Sequence, residues 1–500
     1  MRGAEKPTTI LVFADQLDQT RGPLSQVRPG VDEVLMIEAT DLLEGRAWHR
    51  QRRHLLITAL RRLGRALEEQ GVAVDYHRAP SFAAGIDKHL SMRPGRQIIA
   101  TSPSTHRGRA LLASIGVTIA PETRFLTDPS VLEELGWGTR RVTMEDFYRA
   151  QRRRLGYLMD GDEPATGRWN YDAENRQPLP RQGVEFPTPV QDDLDDLDAE
   201  VIGELPPSAP GADPVGWWPT SRAGALRRLR HAIDEVLPRF GPYEDAMSST
   251  NWHLAHTMLS PALNLGLLHP AEVADEIDAA WRAGRVDIAS AEGLLRQIIG
   301  WREYVWCCYW LEGPDYLGRN GLEAHAPLPP AFTGTPTEMA CLGHVLADVD
   351  ARAWTHHIPR LMVLGNLCLL AGVEPAEVVD WMWERFVDGA EWVMVPNLIG
   401  MALHADGGLM ATKPYAAGGN YISKMSDFCK GCRFDPKKRT GESACPMTTL
   451  YWDFLARHQG RFAGNHRMAR QIASARQLSD IEEVRTRATD VLKRLQAGTL

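Results

Sequence analysis

The strand-forming pattern of this 500-residue chain is confined to its first third, and that limit decides most of what it can fold into. Five short β-branched runs, at 9–14 (TILVFA), 34–38 (VLMIE), 73–77 (AVDYH), 98–102 (IIATS) and 117–121 (VTIAP), alternate with helical stretches. Such alternation builds a mostly parallel sheet covered on both faces. Between the second and third runs, Leu55, Leu56, Ala59, Leu60, Leu63, Ala66 and Leu67 share one face of an amphipathic helix, while Arg52, Arg53, Arg61, Arg62 and Arg65 fill the other. No GxGxxG follows the first run, so the phosphate turn of a dinucleotide-binding domain is missing. From about residue 221 the strand pattern is gone and helical periodicity continues to the end, closing with Val484, Ala488, Val491 and Leu495.

These patterns predict an α/β, Rossmann-like parallel-sheet domain over 1–135, a connector over 136–220 and a large all-α domain over 221–500. The connector carries Pro178, Pro180, Pro187 and Pro189 and then an acidic run with seven carboxylates in 192–204, expected to be a solvated face. The net charge of −8 disfavours a protein that coats polyanions nonspecifically, so any nucleic-acid contact must come from a local basic face. Residues 424–470 supply one, with ten Lys/Arg against four acids, and RAQRRR (149–154) adds four arginines. No apolar run reaches the roughly 18–20 residues of a membrane-spanning helix. The N-terminal apolar run is short and broken by Asp15, unlike a signal peptide. A cytoplasmic, monomeric protein without membrane attachment is expected.

Seven cysteines, an odd number, argue against a disulfide framework. Cys307, Cys308 and Cys368 lie in apolar helical stretches and read as small buried hydrophobes. The other four differ. Cys429 and Cys432 form a CxxC in a loop-like segment, Cys445 follows with Pro446 directly after it, and Cys341 lies upstream in EMACLGH. A CxxC turn puts two thiolates on one centre and two further thiolates complete a soft tetrahedral set, which suits either zinc or a cubane iron–sulfur cluster.

The segment AHTMLSPALNLGLLHP (255–270) places hydroxyls and backbone N–H groups at a helix start, as a phosphate site or a simple cap would. It is followed by QIIGWREYVWCCYW (297–310), HHIPRLMVLGN (356–366) and DGAEWVMVPNLIGM (388–401). This ordered set resembles the photolyase/cryptochrome superfamily. The four cysteines narrow the resemblance to the iron–sulfur bacterial cryptochromes and photolyases, the prokaryotic (6-4) photolyase group. The likeness covers nearly the whole chain, including ADQL (14–17), MEDFYR (144–149), RWNYDAENR (168–176), FGPYEDAM (240–247) and DGGLMATKPYAAGGNYISKMSDFCKGC (406–432), and is weakest over 178–235.

The resemblance implies an antenna domain followed by a helical domain that holds FAD and a 4Fe-4S cluster, with Cys341, Cys429, Cys432 and Cys445 at the family's ligand positions. It implies 6,7-dimethyl-8-ribityllumazine as antenna, with Asp15, Gln16 and Glu38 at strand C-terminal ends, where open α/β sheets place ligands. FAD contacts are expected from Tyr243, Thr257, Leu259, Ser260, Asn264, Gln297, Arg302, Asn366, Asp388 and Asn397. The implied activity is light-driven repair of pyrimidine (6-4) photoproducts in UV-damaged DNA, by electron transfer from reduced FAD to a flipped lesion. His356 and His357 match the lesion-pocket pair, with His357 as proton donor. Tyr415 is a lesion-side hydroxyl, Asp245 an orienting group, and Asn175 with Arg176 a lid over the flipped base.

Three positions depart from the family pattern. Met382 follows Trp381 where Tyr is usual, Phe332 precedes Thr333-Gly334 where Trp is usual, and Met394 replaces a carboxylate. Methionine and phenylalanine are harder to oxidise than tyrosine or tryptophan, so Met382 and Phe332 interrupt the usual flavin photoreduction path. The departures favour an alternative, a cryptochrome-like blue-light sensor with the same cofactors, and beside it a flavin enzyme with a non-DNA substrate.

Overall fold

The structure is a computed structural model that describes residues 7–180 and 182–500. The first six residues, part of the segment expected to lack a leader, lie outside the described residues. The five expected strands form one parallel sheet: β1 (Thr8–Val12), β2 (Glu33–Ala39), β3 (Ala73–Ala79), β4 (Gln97–Thr101) and β5 (Thr118–Ala120), in the order β3-β2-β1-β4-β5. Alternate side chains serve opposite layers. Ile10, Val12, Val34 and Met36 pack toward the helix Arg50–Glu69, and Leu11, Leu35 and Ile37 pack against Ile86 and Leu112 on the other side. From Arg222 onward the regular elements are helical, and Val484, Ala488, Val491 and Leu495 of the final helix Ile481–Gln496 are buried as their spacing requires.

The two layers share a core. Leu63 and Leu67 of the long helix lie in the same buried cluster as Leu229, Val273 and Leu294 of the helical body. Arg52, expected on a solvated face, is buried and donates Nη1 to the carbonyls of Phe386 (3.1 Å) and Val387 (3.3 Å). Burial without a carboxylate contact pulls its guanidinium down to about 10.

Residues 136–220 are more than a connector. They contain the helix Met144–Leu155, started by a reciprocal Thr143–Asp146 cap, and the helix Asp196–Glu204, started by a reciprocal Asp195–Asp198 cap. That second helix is the acidic run, and it is not a plain solvated face. Arg61 pairs with Glu200 and Glu204, Arg62 with Asp195 and Asp198, and Arg65 with Glu200. Opposite charges far apart in sequence meet on adjacent helices. Glu38, at the end of β2, is buried beneath them and accepts from Arg61 Nε (2.8 Å), Arg78 Nε (3.0 Å) and the Tyr76 hydroxyl. Those donors hold its carboxyl below the usual range in spite of burial.

Glu38→Ala should therefore lower thermal stability, by about 2–3 kcal/mol, because it removes the buried acceptor of Tyr76 and of Arg61 Nε and leaves Arg61 only Glu200 and Glu204. Glu200→Ala, at an exposed pair, should cost less than about 1 kcal/mol. Calorimetry of the two variants checks the contrast.

Candidate functional site

The site grows from one carboxylate. Asp388, buried, accepts from Arg360 at both oxygens (2.9 and 3.1 Å) and from Ser260 Oγ (2.6 Å), while its backbone carbonyl accepts from Asn264 Nδ2 (2.9 Å). Three segments distant in sequence are thereby locked together. Ser260 opens the short helix Ser260–Leu265, with Pro261 in its first turn, where a missing N–H costs nothing. Leu259 precedes it, buried, and can offer only backbone. Leu254 and Met258 on either side of Thr257 have φ of 47° and 55°, conformations that ordinary residues adopt only under constraint.

Widened, π-helical turns interrupt the helices at Arg296–Arg302, Arg360–Gly365 and Pro396–Ala402. They carry Gln297, Arg302, Arg360 and Asn397. Such turns re-aim side chains that a regular helix would point elsewhere, and they recur at functional sites.

Three histidines meet beside Arg360. His256 and His356 stack with centroids 4.0 Å apart, and His256 Nε2 and His356 Nδ1 are buried without a partner among the described residues. His357 is exposed. Burial and the neighbouring cations bring His357 down to about 4 and His256 to about 3, and push His356 well below its ordinary value. Burial and Arg360 thus shift His357 downward from the near-neutral range expected of it.

A second group surrounds Glu244, which the sequence reading missed beside Asp245. Glu244 accepts from Gln297 Nε2 (2.7 Å), and burial with Asp245 and Asp172 nearby pushes its carboxyl well up. Burial likewise raises Asp245 and Tyr415, and Arg176 bears on both electrostatically. Arg176 is exposed and pairs with Asp172 (2.9 Å). Asn175 is not a lid. It is buried, donates to the Ala289 carbonyl (3.0 Å), and fits only because Gly241 and Gly293 lack side chains where its amide packs. Asn366 likewise has its amide engaged at both ends by the Ala417 backbone (2.8 and 3.0 Å), so it positions the segment that carries Tyr415. Asn397 donates to the Val393 carbonyl (2.8 Å), and Tyr243 meets Phe186 edge-on.

Arg302 stacks over Phe125 (4.1 Å) and near Trp392 (5.0 Å), with Nε buried and unpartnered. Trp392, Trp306 and Trp310 follow in edge contact, at 5.8 and 5.3 Å between centroids. At the departing positions, Trp381 donates Nε1 to the Phe332 carbonyl (2.7 Å) with the rings 4.9 Å apart, and Met382 and Met394 are buried.

Cys341, Cys429, Cys432 and Cys445 line a single pocket with Met339, Ile422, Phe428 and Phe434. A side chain at Gly419 would meet Cys445 Sγ at 2.7 Å, so glycine keeps room beside the thiol. Cys307, Cys308 and Cys368 are buried, as expected.

At the sheet, Asp15 accepts from Ser104 Oγ (2.6 Å) and Arg124 Nη1 (2.6 Å). Gln16 donates to the Thr101 and Ser102 carbonyls (3.1 and 3.2 Å) and keeps Oε1 buried without a partner. Glu38 is committed to Arg61, Tyr76 and Arg78, which leaves it no free edge for a ligand. The RAQRRR segment is a weaker basic face than expected: Arg152 is buried on the Leu158 and Trp169 carbonyls, and Arg154 donates to the Leu126 carbonyl. In 424–470, Lys424, Lys430, Lys437, Lys438, Arg467 and Arg470 are exposed and pair with no carboxylate among the described residues, whereas Arg433, Arg439, Arg457 and Arg461 have acidic partners.

A parallel α/β layer docked on a helical body with these re-aimed turns is the photolyase/cryptochrome fold. A class III photolyase from Agrobacterium tumefaciens superposes over 99% of this chain and 100% of its own (TM-score 0.59, 16% identity), and a Synechocystis cryptochrome over 83% and 85% (TM-score 0.54, 13% identity). In sequence, the chain is 37% identical to a (6-4) photolyase of Agrobacterium fabrum over 97% of this chain and 99% of that relative. The deoxyribodipyrimidine photo-lyase-related protein family matches residues 10–211. The chain belongs to this family of bacterial photolyase-related proteins.

The histidine group makes stability acid-sensitive. An imidazole whose folded pKa lies below its unfolded value of 6.5 contributes fully above 6.5 and loses that contribution as pH falls toward the folded value. The thermal midpoint of the ligand-free protein should drop between pH 6.5 and 4, and His256→Gln should flatten that drop. Differential scanning calorimetry across this range reads both.

Proposed function

We propose that the chain is a light-driven DNA photolyase that repairs pyrimidine (6-4) photoproducts. The observation that carries this reading is the constellation of buried Asp388 with the partly buried Arg360, Ser260 and Asn264, beside the exposed ring of His357. Near it, among the described residues, are buried polar atoms that protein does not satisfy: Nε of Arg302, whose Nη2 donates to the Leu263 carbonyl beside Asn264, and His256 Nε2 and His356 Nδ1 close to Arg360. Orphaned donors inside a core call for a polar ligand. FAD fits this set: the buried Arg302 suits an anionic group, and Ser260, Asn264, Arg302 and Gln297 would hold it. When bound and reduced, FAD supplies the photo-excited electron. The protein's part is to exclude water, fix the lesion and place a proton source.

His357 is that source in this reading. Arg360 beside it lowers its pKa, so an anionic substrate that offsets this charge would favour the protonated ring. Tyr415 and Asp245 would stand on the lesion side with Glu244, whose raised carboxyl can keep its proton. The exposed cations of 424–470 would take the phosphate backbone in a sequence-independent, salt-sensitive manner.

The four cysteines fit a 4Fe-4S cluster better than a single zinc. Thiolates on one zinc lie about 3.8 Å apart, from a Zn–S length of about 2.3 Å. Among the described residues, no three of these sulfurs lie within 4.8 Å of one another. A lumazine antenna would meet Asp15 and the unpartnered Gln16 Oε1 at the strand ends. Among the described residues no helix is long and apolar enough to cross a membrane.

Phe332 in contact with Trp381 favours a second reading, a light sensor with the same cofactors. One experiment separates the two. Chemically reduced protein should restore (6-4) lesions under illumination and not in the dark, and His357→Ala should lower the repair rate by about a hundredfold or more. A wild-type protein that binds damaged duplex yet leaves the lesions intact would favour the sensor. Gly419→Ala, which crowds Cys445, should reduce bound iron per chain, measured by elemental analysis.

A further inference from the structure

We propose that Asp75, His77 and His89 form a binding site for a divalent first-row transition-metal ion of the zinc and cobalt type, on the side of the sheet away from the helical body. Asp75 and His77 are two apart on β3, so both face the same layer. His89 comes from the last turn of the helix Phe82–Met92 that covers this face. The helix approaches closely because Gly85 has no side chain where Ile37 would meet it at 2.8 Å. One donor atom from each of the three residues lies within 4.8 Å of the other two. Donors about 2.1 Å from one ion lie no more than about 4.2 Å apart, so a small closing movement suffices.

The chemistry of the set points to a ligand. His77 Nε2 lies 3.1 Å from Asp75 Oδ1, yet among the described residues it makes no hydrogen bond, in a side chain that is 6% exposed. His89 is fully buried. Its Nε2 meets Thr9 Oγ1 (2.9 Å), which turns Nδ1 toward Asp75 Oδ2 (2.6 Å). This is the arrangement of a ligand imidazole held by an outer partner. Two imidazoles and one carboxylate make a borderline donor set that suits zinc, cobalt or nickel better than calcium or magnesium. Asp75 is half-buried and gives the site an edge toward solvent, where water completes the coordination. The ion would pin edge strand β3 to its covering helix. None of these residues belongs to the site around Asp388 or to the cysteine pocket.

The test uses the full-length protein as purified, stripped of loosely held ions with a chelator, and cobalt(II) as the probe. One equivalent should bind with visible d–d absorption and without the near-ultraviolet thiolate-to-metal band that binding at the cysteines would give. His77→Gln and Asp75→Asn should abolish that absorption while the far-ultraviolet circular dichroism stays that of the wild type. Thr9→Val should weaken binding about tenfold through loss of the outer partner. Zinc should raise the thermal midpoint of the wild type and not of His77→Gln. A wild type that binds no cobalt outside the cysteines, or variants that bind it unchanged, would overturn the proposal and leave Asp75 as a carboxylate bridging two histidines.

Discussion

The bidentate ion pair between Arg360 and Asp388 is the contact on which the geometry of the candidate site depends. Arg360 lies in a widened helical turn and Asp388 in a loop, and the two-point contact fixes one against the other. The pair also recruits Ser260 and Asn264, so that three chain segments meet at Asp388. From the other layer, Arg52 binds the carbonyls of Phe386 and Val387 immediately before Asp388. The α/β layer is thus fastened to the residues that shape the site.

Around that frame the protein leaves groups that a folded core normally satisfies. Arg302 rests on Phe125 with Nε free, and His256 and His356 stack with bare nitrogens. Burying these costs stability, and the histidines show it in their depressed pKa values. Groups left wanting in this way, beside backbone held at positive φ in Leu254 and Met258, mark a volume organised for a ligand.

The five strands were legible to within a few residues because β1 and β2 are covered on both faces, which writes a continuous apolar run into the sequence. The closing helix was legible for the same kind of reason, since its buried face repeats at helical spacing. What escaped sequence reasoning was pairing at a distance. The acidic run looks solvated until the arginines of the helix Arg50–Glu69 are placed opposite it, more than a hundred residues away. Asn175 looks like a surface polar residue until Gly241 and Gly293 are found around it. Glu244 and Arg360 adjoin residues that were singled out, and only burial and partners distinguish them from their neighbours. The pKa of His357 was illegible because it depends on Arg360 and on burial, not on the His-His pair itself.

The central claim is that the Asp388 frame builds a flavin cavity that His357 borders without supporting. The flavin-to-protein ratio of purified Asp388→Ala, read from the absorption spectrum beside wild type and His357→Ala, tests it most directly. The account predicts near-stoichiometric flavin in wild type and His357→Ala, and loss of most flavin from an Asp388→Ala protein that keeps its helical circular dichroism. Full flavin occupancy in Asp388→Ala would contradict it.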